Sequence, residues 1–399
     1  MNKKITIVGT GMDGINTITA EGLTAVNSAD VIIGAERVLK PFLNMGKQIF
    51  TSYKTEEISA YIKNSEYDKI VVLMSGDCGF YSGAEKLLPQ LYEYETKVIC
   101  GISAPIYFCS KIKIPWQDMY FISLHGANAN IVRNVCTHEK VFFLLGGKIA
   151  PGDVCKRLCE YGLNTVSVYI GENLAYKNER IISGIAENFV DVKTENLCVM
   201  AVINPDYEKC TRSCIPDNEF VREEKIPMTK AEVRSICVSK LEIGRDSVCW
   251  DIGSGTGSVS VEMAYRCVCG KVFSVDKNKA AIKLTDLNRH KFRCDNIEII
   301  EGEAVKTIEN LPAANCVFIG GSGGQLEKII ENAYKKNSRV KIVVTAISLE
   351  TLNESVAVFD KFGFDTEVTQ IAVTRTKKAG NHTILSAENP VFIIKGAVK

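Results

Sequence analysis

Short β-rich apolar runs, each stopped by Gly, Ser or Asp and followed by a helical stretch, recur along the whole chain. That alternation constrains the fold more than any other feature. Apolar strands separated by amphipathic helices imply a largely parallel α/β sheet covered on both faces. The first series is Ile5 to Val8, Val31 to Ile33, Ile70 to Met74, Lys97 to Cys100, Met119 to Ser123, Val141 to Leu145, Thr165 to Ile170 and Leu197 to Ile203. A polar stretch with two prolines, Asn204 to Asn218, then breaks the pattern and reads as a linker. A second series follows at Ser247 to Asp251, Lys271 to Asp276, Ile297 to Ile300, Cys316 to Ile319 and Arg339 to Thr345. Two late strands are expected near Glu367 to Val373 and Pro390 to Lys395. At about 150 residues per domain the chain holds two or three. The break predicts one domain over residues 1–206, a linker over 207–213 and a second domain over 214–399.

Charge and cysteine usage narrow the function classes. Lys plus Arg number 48 and Asp plus Glu 47, a net charge of +1. No whole-molecule field draws such a chain to nucleic acid or to an anionic membrane. No apolar run approaches the roughly 20 residues that cross a bilayer. The start Met1 to Lys4 runs straight into a strand, with acids soon after, which argues against a secretory leader. Fifteen cysteines without a small-domain framework point to free thiols in a reducing cytoplasm. The close pairs Cys155/Cys159, Cys210/Cys214 and Cys267/Cys269 lack zinc-ribbon spacing, and the chain has four histidines, so a metal site is not expected.

The most informative segment runs from Val248 to Ser258. A strand ends in Asp251, and Gly253-Ser254-Gly255-Thr256-Gly257 then opens a helix expected to reach about Tyr265. Glycines let a ligand lie against the backbone, and a helix N-terminus offers free amides. Nineteen residues past Gly257 the next strand ends at Asp276, where an acid can bond a ribose hydroxyl pair. The third strand ends at Glu303-Ala304, where an adenine would lie. An acid before the first glycine repels a pyrophosphate but tolerates a cofactor with a cationic amino acid end. The pattern resembles the class I S-adenosylmethionine-dependent methyltransferases, with a Rossmann-like fold. The bland reading is a structural βα turn.

The first half carries Gly9-Thr10-Gly11-Met12-Asp13-Gly14 directly after a strand, with Glu36 at the end of the next. Taken alone this is a dinucleotide fingerprint, and an NAD-dependent oxidoreductase fused to a methyltransferase is the main alternative. Asp13 would crowd a diphosphate, and Gly22 falls inside the following helix. The remaining loops are Ser75-Gly76-Asp77-Cys78-Gly79-Phe80-Tyr81, Gly101-Ile102-Ser103-Ala104-Pro105, Ile122 to Gly126 and Glu172 to Leu174. Together they resemble the tetrapyrrole methylase family from Ile5 to about Asn204. That resemblance implies a two-subdomain α/β fold with S-adenosylmethionine between the subdomains. It places Gly76, Asp77, Gly101, Ser103 and Ala104 at the cofactor, and Gly9 and Gly11 toward the tetrapyrrole. Cys78 stands where the family often has Pro. Ala127, after His125-Gly126, stands where it often has Arg.

The second half is similar to decarboxylating precorrin methyltransferases over about residues 214 to 396. The match runs through Ile215 to Phe220, Pro227 to Arg234, the loop after Asp251, Val317 to Gly324 and Val343 to Ile347. It departs at Asn315, where relatives usually carry Asp. The resemblance implies cofactor contacts at Thr229, Asp251, Gly253, Ser254, Gly255, Thr256, Gly257, Asp276, Glu303 and Ala304. It implies substrate contacts at Gly320, Gly321, Ser322, Gly323, Gly324, Thr345 and Arg234. Taken together, the two halves imply methylation of a precorrin or cobalt-precorrin at carbons 5 and 15, with loss of the ring-C acetate. They also imply a cytoplasmic homo-oligomer.

A polycarboxylate substrate needs cations, and Arg222, Lys230, Arg234 and Arg375 are the candidates, each weighed against an ordinary solvated surface charge. His125 reads more simply as a loop-fixing hydrogen bond, and Trp116 as core packing.

Overall fold

The computed structural model describes residues 3–124 and 129–398. The readings placed on His125, Gly126 and Ala127 lie outside the described residues. The chain divides into two compact units. One comprises Met1–Asn128, Lys140–Lys156 and Asn164–Ile203; the other comprises Ala129–Glu139, Arg157–Leu163 and Asn204–Lys399.

The first unit holds two five-stranded sheets. One contains β1 (Lys4–Gly9), β2 (Val31–Gly34), β3 (Gln48–Thr51), β4 (Lys69–Met74) and β5 (Glu95–Ile99) in the order β3-β2-β4-β1-β5, all parallel. Successive side chains of its central strands leave on opposite faces, as strand pleating requires. Ile5, Ile7, Ile70 and Val72 join one core cluster, and Val8, Ile32, Val71 and Leu73 the other. The helix Ala20–Ser28 starts where the Thr19 hydroxyl accepts the Gly22 N–H at 3.0 Å, an N-cap.

The other sheet contains β6 (Tyr120–Ser123), β7 (Lys140–Leu144), β8 (Ser167–Glu172), β9 (Arg180–Ile185) and β10 (Cys198–Ile203), ordered β6-β7-β10-β8-β9. Only β6 and β7 run parallel; β10 lies antiparallel to β7 and β8, and β8 to β9. This corrects the expectation of a largely parallel arrangement throughout. Strands β3 and β9 were not expected from the sequence. Trp116 is 45% exposed and does not pack in the core.

The second unit is built on a seven-stranded sheet. Its strands are β11 (Val248–Ile252), β12 (Lys271–Asp276), β13 (Ile297–Glu301), β14 (Cys316–Ile319), β15 (Lys341–Ala346), β16 (Asp365–Ile371) and β19 (Val391–Ala397). The order is β13-β12-β11-β14-β15-β19-β16, with β19 antiparallel to both neighbours. Chain order reverses beside β11, and a crevice opens at the carboxyl edge beside the loops after β11 and β14. An exposed ribbon, β17 (Thr374–Ala379) with β18 (His382–Ala387), forms a separate pair. Among the described residues no helix is long and apolar enough to cross a membrane.

Candidate functional site

In the second unit the crevice is a cavity of about 270 Å³. It gathers Gly253, Gly255, Asp276, Glu303, Ala304 and Gly320 to Gly323 on its walls, with Pro227, Val275, Lys277, Gly302 and Gln325. The helix Ser258–Arg266 opens from the glycine loop, as its spacing predicts. Gly255 takes φ +56, and a Cβ there would meet the Pro227 carbonyl at 2.5 Å. Gly253 takes φ +71, and its Cβ would meet Gly321 backbone at 2.8–3.1 Å. The loop after β11 and the loop after β14 therefore touch backbone to backbone. Asp276 fixes this geometry: one carboxylate oxygen accepts the Gly255 N–H at 3.0 Å and the other the Asn278 N–H at 2.9 Å.

Several expected residues stand behind this wall. Asp251 is fully buried; Ser260 donates to one oxygen, while the other has no partner. Burial pushes its carboxyl up to about 7, and the charge of Asp276 adds to the effect. Ser254 and Thr256 are buried, and the Thr256 hydroxyl has no hydrogen-bond partner. Gly257 packs on Thr285, with its Cβ position 2.7 Å from that side chain. Thr229, Gly324 and Thr345 do not reach the cavity wall.

Arg234 corrects its expected role. It is fully buried and spends its guanidinium on Glu262 at 2.6 Å, Asp217 at 3.3 Å, the Thr229 carbonyl at 2.7 Å and the Ile215 carbonyl. It ties the segment before β11 to the helix Ser258–Arg266, buried among these internal partners and away from the cavity wall. Arg375 is likewise committed, to Glu232 at 2.5 Å and Glu388 at 3.3 Å. Lys277 and Gln325 were missed. Lys277 directly follows the strand-end acid, which is the signal that could have found it.

In the first unit a cavity of about 290 Å³ lies between the loops of its two sheets. Gly76, Asp77, Ser103 and Ala104 line one side; Leu144, Leu145, Leu174 and Leu197 to Val199 line the other. Asp77 accepts the Gly79 N–H at 2.8 Å and the Gly101 N–H at 2.9 Å, clasping the loops after β4 and β5. Gly101 sits behind that clasp. Its Cβ would meet the Gly76 carbonyl at 2.2 Å, and one at Gly9 would meet it at 2.7 Å. Gly11 and Gly76 exchange backbone hydrogen bonds at 3.0 and 2.9 Å. Gly9 therefore faces protein backbone, while Gly11 lines a smaller adjoining hollow with Met12, Asp13 and Gly14. Met12, Arg37, Ser75 and Tyr176 line both hollows. Arg37 and Tyr176 belong to no motif in the sequence.

This geometry removes the dinucleotide reading. The Gly14–Asn16 turn is a short 3-10 helix, and the first α-helix begins only at Ala20. No helix N-terminus opens at the fingerprint, and its first glycine serves contact with Gly76 and Gly101.

Comparison with known proteins agrees with both halves. Residues 4–189 match the family model of the tetrapyrrole (corrin/porphyrin) methylases, and residues 219–396 match that of the precorrin methyltransferase domain. A probable cobalt-precorrin-6B C(15)-methyltransferase (decarboxylating) of Pyrobaculum calidifontis is 43% identical over 182 residues, 45% of this chain and 93% of the relative. Its counterpart in Methanocaldococcus jannaschii is 36% identical, covering 45% of this chain and 96% of the relative. A solved precorrin-6Y C5,15-methyltransferase of Geobacter metallireducens is 35% identical with a TM-score of 0.44, covering 46% of this chain and 97% of that one. On the strength of a relative matched across nearly its whole length, behind a half that fits the tetrapyrrole methylases, this chain belongs to the precorrin methyltransferase family.

Proposed function

We propose that the chain methylates a precorrin or cobalt-precorrin at carbons 5 and 15 and removes its ring-C acetate, as steps of cobalamin biosynthesis. The family is one of S-adenosylmethionine-dependent enzymes. One observation carries the reading: each unit has its own glycine-lined cavity with a carboxylate on its wall, Asp77 in the loop after β4 and Asp276 at the end of β12. Both fit a methyl donor that carries a sulfonium and an ammonium. The walls combine apolar side chains, close backbone and fixed carboxylates that favour positive charge.

We assign the donor in the second unit to Gly253, Gly255, Asp276, Glu303 and Ala304, with Gly320 to Gly323 toward the tetrapyrrole. In the first unit the donor falls to Gly76, Asp77, Ser103 and Ala104, with Gly101 supporting them and Gly11 on the tetrapyrrole side. The donor supplies the methyl group as an electrophile. The chain's own residues need provide no covalent nucleophile, only in-line placement of carbon and methyl within about 3–3.5 Å. For decarboxylation they orient the acetate and exclude water. The assignment includes a cytoplasmic homo-oligomer.

The test incubates the whole chain with precorrin-6B or its cobalt form, together with methyl-labelled donor. Product mass and label position are then read. Two labelled methyls and one lost carbon dioxide are expected. Hydride transfer to NAD, or label at a single carbon, would refute the reading.

A further inference from the structure

A tetrapyrrole with several carboxylates needs more than one cation; in the second unit Lys277 lines the cavity, while Arg234 and Arg375 are committed to internal acids. The first unit offers a different one. Arg37 follows the end of β2 in the short helix Glu36–Leu39, on the same carboxyl edge of the sheet as Gly9 and Gly76. It is exposed, and among the described residues it is the one cationic side chain lining either of the two adjoining hollows, where it lines both. Its contacts are neutral: the Tyr176 hydroxyl at 3.1 Å and, more loosely, the Ser75 hydroxyl at 3.5 Å.

Several arginines elsewhere in the chain are paired with acids, among them Arg133 with Glu208, Arg180 with Glu172 and Arg212 with Glu219. Among the described residues Arg37 has no such pair. The acids that share its hollows turn away. Asp77 is held by the Gly79 and Gly101 amides, and Asp13 accepts from Asn16 at 2.8 Å. A guanidinium has five N–H donors in a planar fork, so two hydroxyl contacts leave three unused, in the geometry that suits a carboxylate.

We propose that Arg37 binds a side-chain carboxylate of the tetrapyrrole and so sets which edge of the ring enters the donor cavity of the first unit. Tyr176 holds the guanidinium between the two hollows, with its hydroxyl accepting one N–H. The proposal rests on the function proposed above. Its chemistry, a carboxylate on a guanidinium, has a second source in the carboxylate of the methyl donor, and the experiment separates the two.

Arg37→Met and Arg37→Lys are compared with wild type in the full chain, with carbon-5 and carbon-15 products followed in the same tube. Arg37→Met should raise the tetrapyrrole KM for carbon-5 methylation on the order of 10- to 100-fold, the range for losing a charge-assisted pair. The KM of the donor and all carbon-15 kinetics should stay at wild type. Arg37→Lys, a point charge without the fork, should recover part of the loss. An unchanged tetrapyrrole KM overturns the proposal. So does a rise in donor KM alone, which would assign Arg37 to the donor's carboxylate. If wild type adds no methyl at carbon 5, the functional reading fails, and fluorescence titration with an octacarboxylic porphyrin and its octamethyl ester still decides Arg37. A preference for the acid that weakens in Arg37→Met supports the proposal, and an equal preference in both proteins overturns it.

Discussion

Asp276 lines the cavity of the second unit, at the end of the second strand after the glycine loop. What the sequence hid is that both its oxygens already hold loop amides, at Gly255 and Asn278. Removing the carboxylate would loosen the loop as well as any ribose contact, so Asp276→Asn, which keeps one oxygen acceptor, is the cleaner change. It should weaken donor binding in the second unit by about 1.5–3 kcal/mol, the value of a hydrogen bond to a charged group. Carbon-15 methylation and decarboxylation should fall together while carbon-5 methylation of a supplied substrate persists, as product mass will tell. Asp251 was equally visible but sits inside the core, because side-chain direction along a buried strand is not marked by the motif. Its folded carboxyl titrates near 7 instead of the usual 3.8. The protonated form is thus favoured by folding: its stabilisation is complete below about pH 4 and is lost as pH rises through 7. The gap corresponds to roughly 4 kcal/mol. Thermal melts from pH 4 to 8 should show a weaker fall in Asp251→Asn than in wild type; identical slopes would show that Asp251 is not the group responsible. Arg234 misled for the opposite reason. A basic residue near a site motif looks the same in sequence whether it faces a ligand or, as here, Glu262.

Among the elements, the parallel strands were the easiest to read, since strands buried on both faces give unbroken apolar runs. Direction was not readable: Val141 to Leu145 and Leu197 to Ile203 look alike, yet β7 and β10 pair antiparallel. The ribbon β17–β18 was missed because Thr-Arg-Thr-Lys-Lys-Ala has no apolar alternation, although Gly380-Asn381 between its strands is a hairpin signal. The Gly9–Gly14 fingerprint failed at this level too, because a nucleotide motif needs the helix that follows it. The loop after β14 carries the clearest element-level expectation. A Cβ at Gly321 meets nothing within 4 Å, so the protein itself tolerates a side chain there. Gly321→Val should fold and bind donor as wild type does, yet slow carbon-15 methylation and decarboxylation on the order of 100-fold by displacing the ring. Near wild-type turnover in that variant would remove this loop from the substrate site. Gly253→Ala is the contrasting case: its new methyl would strike Gly321 backbone, so donor affinity and melting temperature should drop together.

For the whole molecule the sequence announced two glycine loop sets, and part of each lines a cavity in its own unit, with no lining residue in common among the described residues. Calorimetric titration of the full chain with donor should therefore approach two sites. Asp276→Asn should weaken one of them and leave the other at its wild-type affinity; a single site in wild type would contradict the assignment. The division of the chain was less legible. The polar stretch from Asn204 marks where the second unit is entered, but Ala129–Glu139 and Arg157–Leu163 also cluster with that unit, and long-range packing of this kind leaves no local signature. The separateness of the two cavities also bears on inheritance. A substitution that ruins one cavity leaves the other's wall intact, so the two activities can decay, or be repaired, one at a time. A lineage holding a damaged copy and a stand-alone enzyme for the lost step would still make its product, and natural selection can act on each half as though it were a gene of its own.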